Sequence, residues 1–263
     1  MTLSTAQIRA ASDIIFAHWQ AGTRIPALPA ELRPTTRAEG YAIQAHLDSH
    51  DSLFGWKIAA TSQAGQSHIG VDGPLAGRIL AQHAYAPNAT LPWANNYMGV
   101  AEAEFAFRMG SDLPPRPTPY TVAEVLNAAA TLHPAIEVPD SRFTDFASVG
   151  GPALIADNAC AHDFVLGPAT TADWRALDLI EHRATGTVTG GVTHTGIGRN
   201  VLGDPRVALA WLANELSSHG ITLRAGQIVT TGTCLIPLPI APGDEIIADF
   251  GILGRVSARF GAA

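Results

Sequence analysis

The stretch Ala101-Glu102-Ala103-Glu104-Phe105-Ala106-Phe107 decides how the fold is read. Polar and apolar residues alternate along it, with the period of a β-strand. Side chains on a strand alternate between its faces, so Glu102 and Glu104 point one way and Ala103, Phe105 and Phe107 the other. The second set supplies a packing face. The first puts two carboxylates a strand step apart, where they repel unless water or a cation separates them. Further on, His133-Pro134-Ala135-Ile136-Glu137-Val138-Pro139 isolates a third carboxylate, Glu137, among apolar neighbours. Two readings follow. One is a half-exposed strand with two solvated glutamates and an unrelated third. The other is a three-carboxylate site for a hard divalent ion, Mg²⁺ or Mn²⁺, with open positions filled by water.

Length and composition narrow the alternatives. A chain of 263 residues can bury a sizeable core, as one large domain or as a small one joined to a larger. The net charge of −7, with no Lys/Arg cluster, argues against nucleic acid and against an anionic membrane surface as partners. No apolar run approaches the roughly 20 residues of a membrane span. Met1-Thr2-Leu3-Ser4 opens no secretion signal. Cys160 and Cys234 make neither a disulfide framework nor a metal-binding spacing, so a cytoplasmic protein with reduced thiols is expected.

Outward from the two glutamates, the chain alternates helices and strands. Ile8, Ala11, Ile15 and Trp19 predict a helix over about 4–20, ended by Gly22. Thr36-Arg37-Ala38-Glu39 is a capping box that opens a second helix, to about residue 49. These helices are expected to form an N-terminal helical region over 1–52, packed on the main body over 53–263. Residues 54–59 predict a strand. Lys57 lies there in an otherwise buried run, where snorkelling to solvent is the ordinary reading. Residues 69–77 carry glycines and a proline at loop spacing, yet are too apolar for a plain solvated turn, so a loop over something is expected. A second capping box, Thr121-Val122-Ala123-Glu124, opens a helix expected to end near His133-Pro134. Taken alone, Asp157-Asn158 caps a turn. In the last third, strands are expected over 177–181, 187–192, 228–231, 246–250 and 256–260. One helix interrupts them, with Asp204 as its cap, Pro205 at its first position and Gly220 as its stop. Strands with only a few helices argue for α+β rather than a doubly wound sheet. His68, His133 and His162 lack ligand spacing and read as structural or exposed.

Several pieces resemble a known family in order and spacing. They are Gly55-Trp56-Lys57-Ile58, Gly70-Val71-Asp72, Glu102-Ala103-Glu104, Glu137-Val138-Pro139-Asp140-Ser141-Arg142, Ala156-Asp157-Asn158-Ala159, and Leu202-Gly203-Asp204-Pro205 before Ala210-Trp211-Leu212-Ala213. From about residue 36 to 260 the chain resembles the 2-keto-4-pentenoate hydratase / 4-oxalocrotonate decarboxylase family, within the fumarylacetoacetate hydrolase superfamily. The resemblance implies a mixed β-roll or barrel-like core with an N-terminal helical cap, makes 53–263 a metal-binding mixed-β catalytic domain, and implies a homo-oligomer. It implies a Mg²⁺ or Mn²⁺ site at Glu102, Glu104 and Glu137, the same three carboxylates picked by the pattern. It places Lys57 beside a small 2-oxo acid substrate, as a proton carrier or a partner of the substrate carboxylate. Thr231-Gly232-Thr233 resembles the family's late Thr-Gly segment and, with Asp157 and Asn158, is expected to bind substrate.

Two departures bear on the chemistry. Hydratases of the family typically carry an acid in a Pro-Asp-aromatic-Gly segment; here the segment is Pro74-Leu75-Ala76-Gly77, and Leu75 cannot move a proton. A Pro-Arg pair often precedes the paired glutamates; here those places read Gly99-Val100. The leading expectation is a metal-dependent hydratase or decarboxylase acting on a 2-oxo or 2-hydroxyalkenoic acid, in aromatic-compound catabolism. A C–C bond hydrolase of acylpyruvates and a non-catalytic small-molecule binder or supporting subunit stand as alternatives. His162 is the histidine that could replace the missing acid.

Overall fold

Helices come first in the computed structural model, which describes residues 2–93 and 96–262. The first, α1 (Thr5–Ala21), starts at a capping box made by Ser4 and Gln7 and stops at Gly22 in the left-handed conformation. The second, α2 (Arg37–Ala45), starts at the Thr36 capping box and tightens into a 3-10 turn over His46–Ser49. Their apolar stripes are buried together: Ala11, Ile15 and Ile43 pack with Leu28 and with Phe143 and Ala156 from far along the chain.

The strands follow as β1 (Leu53–Ala59), β2 (Leu75–Leu80), β3 (Ala84–Tyr85), β4 (Thr90–Leu91), β5 (Val100–Met109), β6 (Ala129–Val138) and β7 (Asp163–Leu166). Then come β8 (Arg183–Val188), β9 (Thr193–Ile197), β10 (Ile228–Thr233), β11 (Leu238–Pro239), β12 (Glu245–Asp249) and β13 (Arg255–Phe260). Between them lie α3 (Gln63–Ile69), α4 (Val122–Ala128), α5 (Gly151–Ala156) and α6 (Pro205–Ser218). An eight-stranded sheet runs β2-β1-β10-β5-β6-β7-β3, with β11 added to β5; a five-stranded sheet runs β4-β13-β12-β8-β9. The β1–β10 pair is parallel inside otherwise antiparallel neighbours. The large sheet curls, and β12 and β13 pack across β6. The core between the sheets holds Trp56, Ile58, Phe105, Phe107 and Ile136. Phe105 meets Phe250 edge-on, with ring centroids 5.0 Å apart. This is the expected α+β, barrel-like architecture with a helical cap.

Four local expectations differ from the structure. Leu75, Ala76 and Gly77 are not a loop but the first half of β2, paired to β1. Every residue of β2 is buried, so it lacks the alternation that marks a half-exposed strand. The helix from Thr121 ends at Ala128, not at Pro134, and Ala129 already belongs to β6. Ladder pairing with β5 overrides the helix preference of that alanine run. Residues 177–181 form turns instead of a strand, with the Asp178 carboxylate accepting from the Ile180 and Glu181 backbones. The strand expected over 187–192 lies earlier, as β8, and a turn at Gly190-Gly191 leads into β9.

Candidate functional site

Strand register assembles the site. Glu102 on β5 stands directly across the ladder from Glu137 on β6, and opposed residues share a face. Glu104, two residues on, shares it too. The ladder continues the other way: Ala106 opposes Thr230 on β10, and Thr230 pairs with Lys57 on β1. Lys57, Thr230, Glu104, Glu102 and Glu137 therefore occupy one face, and Trp56, Phe105 and Ile136 pack into the core on the other. One carboxylate oxygen from each glutamate lies within 4.8 Å of the other two.

A β-bulge fixes the middle carboxylate. From Thr230 to Thr233 strand β10 advances three residues while β5 advances two, from Ala106 to Glu104. Gly232 sits in this bulge at φ +97°, where an added Cβ would lie 2.1 Å from Oγ1 of Thr61, so only glycine fits. The bulge turns the Gly232 N–H off the ladder, and it donates to Oε2 of Glu104 at 2.7 Å. The Thr230 hydroxyl donates to the same oxygen at 2.5 Å.

Lys57 does not snorkel: it is 3% exposed. Its Nζ lies 2.9 Å from Oε1 of Glu137 and donates to the Ala159 carbonyl at 3.0 Å. The contact with Glu137 is an ion pair off hydrogen-bond geometry. Both Glu137 oxygens and Oε1 of Glu104 are thus buried acceptors without a hydrogen bond. Burial, then repulsion from Glu137, pushes Glu102 up to about 7. The same causes, with Glu102 added, push Glu104 well above the usual carboxylate range. Burial would lower Lys57, but the charges of Glu137 and Glu102 outweigh it and hold the ammonium protonated. Ionising all three carboxylates against one ammonium would leave two negative charges uncompensated out of water, which is why burial and mutual repulsion push Glu102 and Glu104 toward their protonated forms. A divalent cation with oxygen ligands fits both that charge and the orphaned oxygens.

A left-handed turn backs Lys57. Asn158, Ala159 and Cys160 have φ of 56°, 49° and 60°, a conformation costing a non-glycine residue roughly 1–2 kcal/mol. Buried bonds hold it. Asp157 pairs with Arg142 at 2.5 Å, and the Asn158 side chain accepts from the Arg78 N–H at 2.6 Å and donates to the Arg78 carbonyl at 2.8 Å. Gly77 permits the approach, because a Cβ there would come within 2.4 Å of the Asn158 carbonyl.

A cavity of about 680 Å³ opens in front of Lys57 and Glu102 and takes in Leu75, Val100 and Thr233. Both departures from the family pattern, Leu75 and Val100, are on its wall. Of the Thr-Gly segment only Thr233 reaches the cavity; Thr231 donates to the Phe105 carbonyl, and the Gly232 N–H is committed to Glu104. Asp157 and Asn158 stand behind the cavity, holding the left-handed turn. His162 lines a separate cavity of about 180 Å³ with Trp19, Arg24, Asp140 and Arg142. Burial first of all pushes its pKa down to about 4. His162 also lies close to His83 and Asp163, a second cluster of ligand-type residues that sequence spacing does not reveal. His133 is held by Thr131 and the Gly167 carbonyl. Residue patterns also missed Thr230 and Cys160. The strand step from Ile228 to Thr230 was the signal for the first. Cys160 lines the cavity, but burial pushes its thiol up to about 12, so it stays protonated and is a poor nucleophile.

No protein-family model matches the chain. It is 35% identical over 210 residues to a 2-keto-4-pentenoate hydratase of Burkholderia vietnamiensis, an alignment covering 80% of this chain and 79% of that one. The chain belongs to the 2-keto-4-pentenoate hydratase / 4-oxalocrotonate decarboxylase family. A TodF product hydratase of Pseudomonas putida is 30% identical over an alignment of 271 residues, covering 100% of this chain and 98% of that one. On the decarboxylase side of the family, 4-oxalocrotonate decarboxylase from Pseudomonas putida G7, complexed with magnesium and adipate, matches with a TM-score of 0.89. That match has 27% identity and covers 98% of this chain and 99% of that one. Among the described residues no helix is long and apolar enough to cross a membrane.

Proposed function

We propose that this chain is a divalent-metal-dependent lyase of the hydratase/decarboxylase type, acting on a small 2-oxo or 2-hydroxyalkenoic acid of aromatic catabolism. One observation carries the reading: Glu102, Glu104 and Glu137 converge with orphaned oxygens beside a buried lysine, at the end of a cavity. An all-oxygen donor set suits Mg²⁺ or Mn²⁺, and magnesium is the ion complexed in the decarboxylase of similar structure. When bound, such an ion supplies a Lewis acid and a template for the carboxylate and keto oxygens of a 2-oxo acid.

The chain's own residues do the rest. Glu102, Glu104 and Glu137 hold the ion, and Thr230 and Gly232 fix the Glu104 carboxylate. Lys57, anchored by Glu137 and the Ala159 carbonyl, moves a proton at the reacting end of the substrate or pairs with its carboxylate. Thr233 stands beside it on the cavity wall. Leu75 moves no proton, so either reaction of the family draws its proton here from Lys57 or from water. Adding water to a dienol needs oxygen placed at one carbon and a proton at another. Loss of CO₂ from a vinylogous keto acid needs an electron sink and one later protonation.

Calorimetric titration with Mg²⁺ tests the site. Glu104→Ala is expected to weaken binding by at least about 100-fold, since loss of even an outer-shell partner costs about 10–100-fold. Unchanged affinity would overturn the assignment. The parent, assayed with Mg²⁺ on 2-hydroxypenta-2,4-dienoate, 4-oxalocrotonate and an acylpyruvate, should consume one of the first two. Turnover of the acylpyruvate alone would favour the C–C hydrolase, and no turnover at all the binding protein.

A further inference from the structure

We infer that the acid taken by this cavity carries an apolar tail and no second carboxylate, which selects hydration over loss of CO₂ from a diacid; the inference rests on the lyase reading of the same site. Away from Lys57 and Glu102 the wall is made by Ile69, Leu75, Met98, Val100, Phe146 and Leu154. Ile236, 71% exposed, lies on the same wall. Among the described residues Lys57 is the only lysine or arginine lining the cavity, and its ammonium is held by Glu137 and the Ala159 carbonyl. The remaining polar side chains of the wall include no lysine or arginine, and several are engaged or peripheral. The Asn200 amide donates to the Cys234 carbonyl, and Ser62 caps α3. His68 is exposed, its ring edge-on to Phe146 with centroids 5.9 Å apart.

A carboxylate at the far end of a substrate would leave water for a wall that offers it no buried cation. An alkyl or aryl tail meets the opposite balance, since each methylene buried there gains about fourfold in affinity. The volume agrees. About 680 Å³ falls in the range of roughly 300–1,000 Å³ typical of sites for drug-sized ligands, well beyond the needs of a five-carbon acid.

The test is calorimetric binding of saturated 2-oxo acids to the Mg²⁺-loaded protein. Affinity is expected to climb at least tenfold from pyruvate through 2-oxohexanoate to 2-oxooctanoate. The diacid 2-oxoadipate is expected to bind at least tenfold more weakly than 2-oxohexanoate. Ile69→Arg, which brings a cation to the wall, should shift that ratio at least tenfold toward the diacid. If 2-oxoadipate binds the parent as tightly as 2-oxohexanoate, or if affinity is flat along the series, the inference is overturned. Mg²⁺-dependent pyruvate binding would then leave the lyase reading standing. A ratio unmoved by Ile69→Arg, in a variant that still binds pyruvate with Mg²⁺, overturns the assignment of this wall to the tail. Absence of Mg²⁺-dependent binding across the whole series overturns both.

Discussion

At Lys57 and Glu39 the surroundings fix the charge of a single side chain. Lys57→Met keeps the aliphatic stem and removes the ammonium. Turnover is expected to fall by about 10²–10⁴-fold, the usual worth of a placed proton-transfer group. Mg²⁺ affinity should hold or rise, because the ammonium 2.9 Å from Glu137 is a cation competing for the same carboxylate. Calorimetry run beside the assay checks this; a parallel loss of Mg²⁺ affinity would make Lys57 a support of the ligand set instead. Glu39 is a structural counterpart at the start of α2. Its carboxylate accepts from the Thr35, Leu3 and Thr36 backbones and from the Thr35 hydroxyl. These bonds, Thr35 first, hold its pKa down to about 2 against an ordinary value of 4.5. A carboxyl lowered on folding stabilises the fold above its unfolded pKa and loses that contribution as pH falls through the folded one. Glu39→Gln should therefore lower the melting temperature at pH 7, and the gap to the parent should close between about pH 4.5 and 2. A gap that stays constant over that window would mean the charge plays no part.

Among the elements, β10 has the most demanding geometry. Its bulge must place one N–H on Glu104 and leave room for Thr61, which only a glycine at positive φ allows. Gly232→Ala adds backbone strain and a clash, and is expected to cost about 2–4 kcal/mol. Urea unfolding measures that loss, and Mg²⁺ titration should show weaker binding as Glu104 loses its donor. Wild-type stability would show that the bulge relaxes without cost. Strand β2 and the α4–β6 junction explain why element boundaries misled the sequence reading. A strand buried on both faces has no period to detect, and an alanine run takes whichever state its neighbours offer. The starts of the capped helices raised no such problem, because Ser4, Thr36, Thr121 and Asp204 satisfy helix N-termini through residues two or three places away.

For the whole molecule, the proposed assembly is a homo-oligomer, as the family resemblance implies. Light scattering at micromolar concentration should give a mass that is a multiple of 27.5 kDa. A mass near 27.5 kDa itself would count against the assembly.

What the sequence determined by itself is what short-range periodicity carries. The two-residue alternation aims Glu102 and Glu104 together and Phe105 and Phe107 at the core, and the capping residues start the helices. Those features depend on neighbours a few positions apart, so they survive in a string of letters. The tertiary structure alone decided that Glu137 stands opposite Glu102, 35 positions away, through the β5–β6 register. It alone buried Lys57 against Glu137, turned Asp157 toward Arg142 and gave His162 a cavity of its own. Register between strands, and the desolvation that shifts a charge, are set by contacts among residues distant in the chain, and no local pattern encodes them.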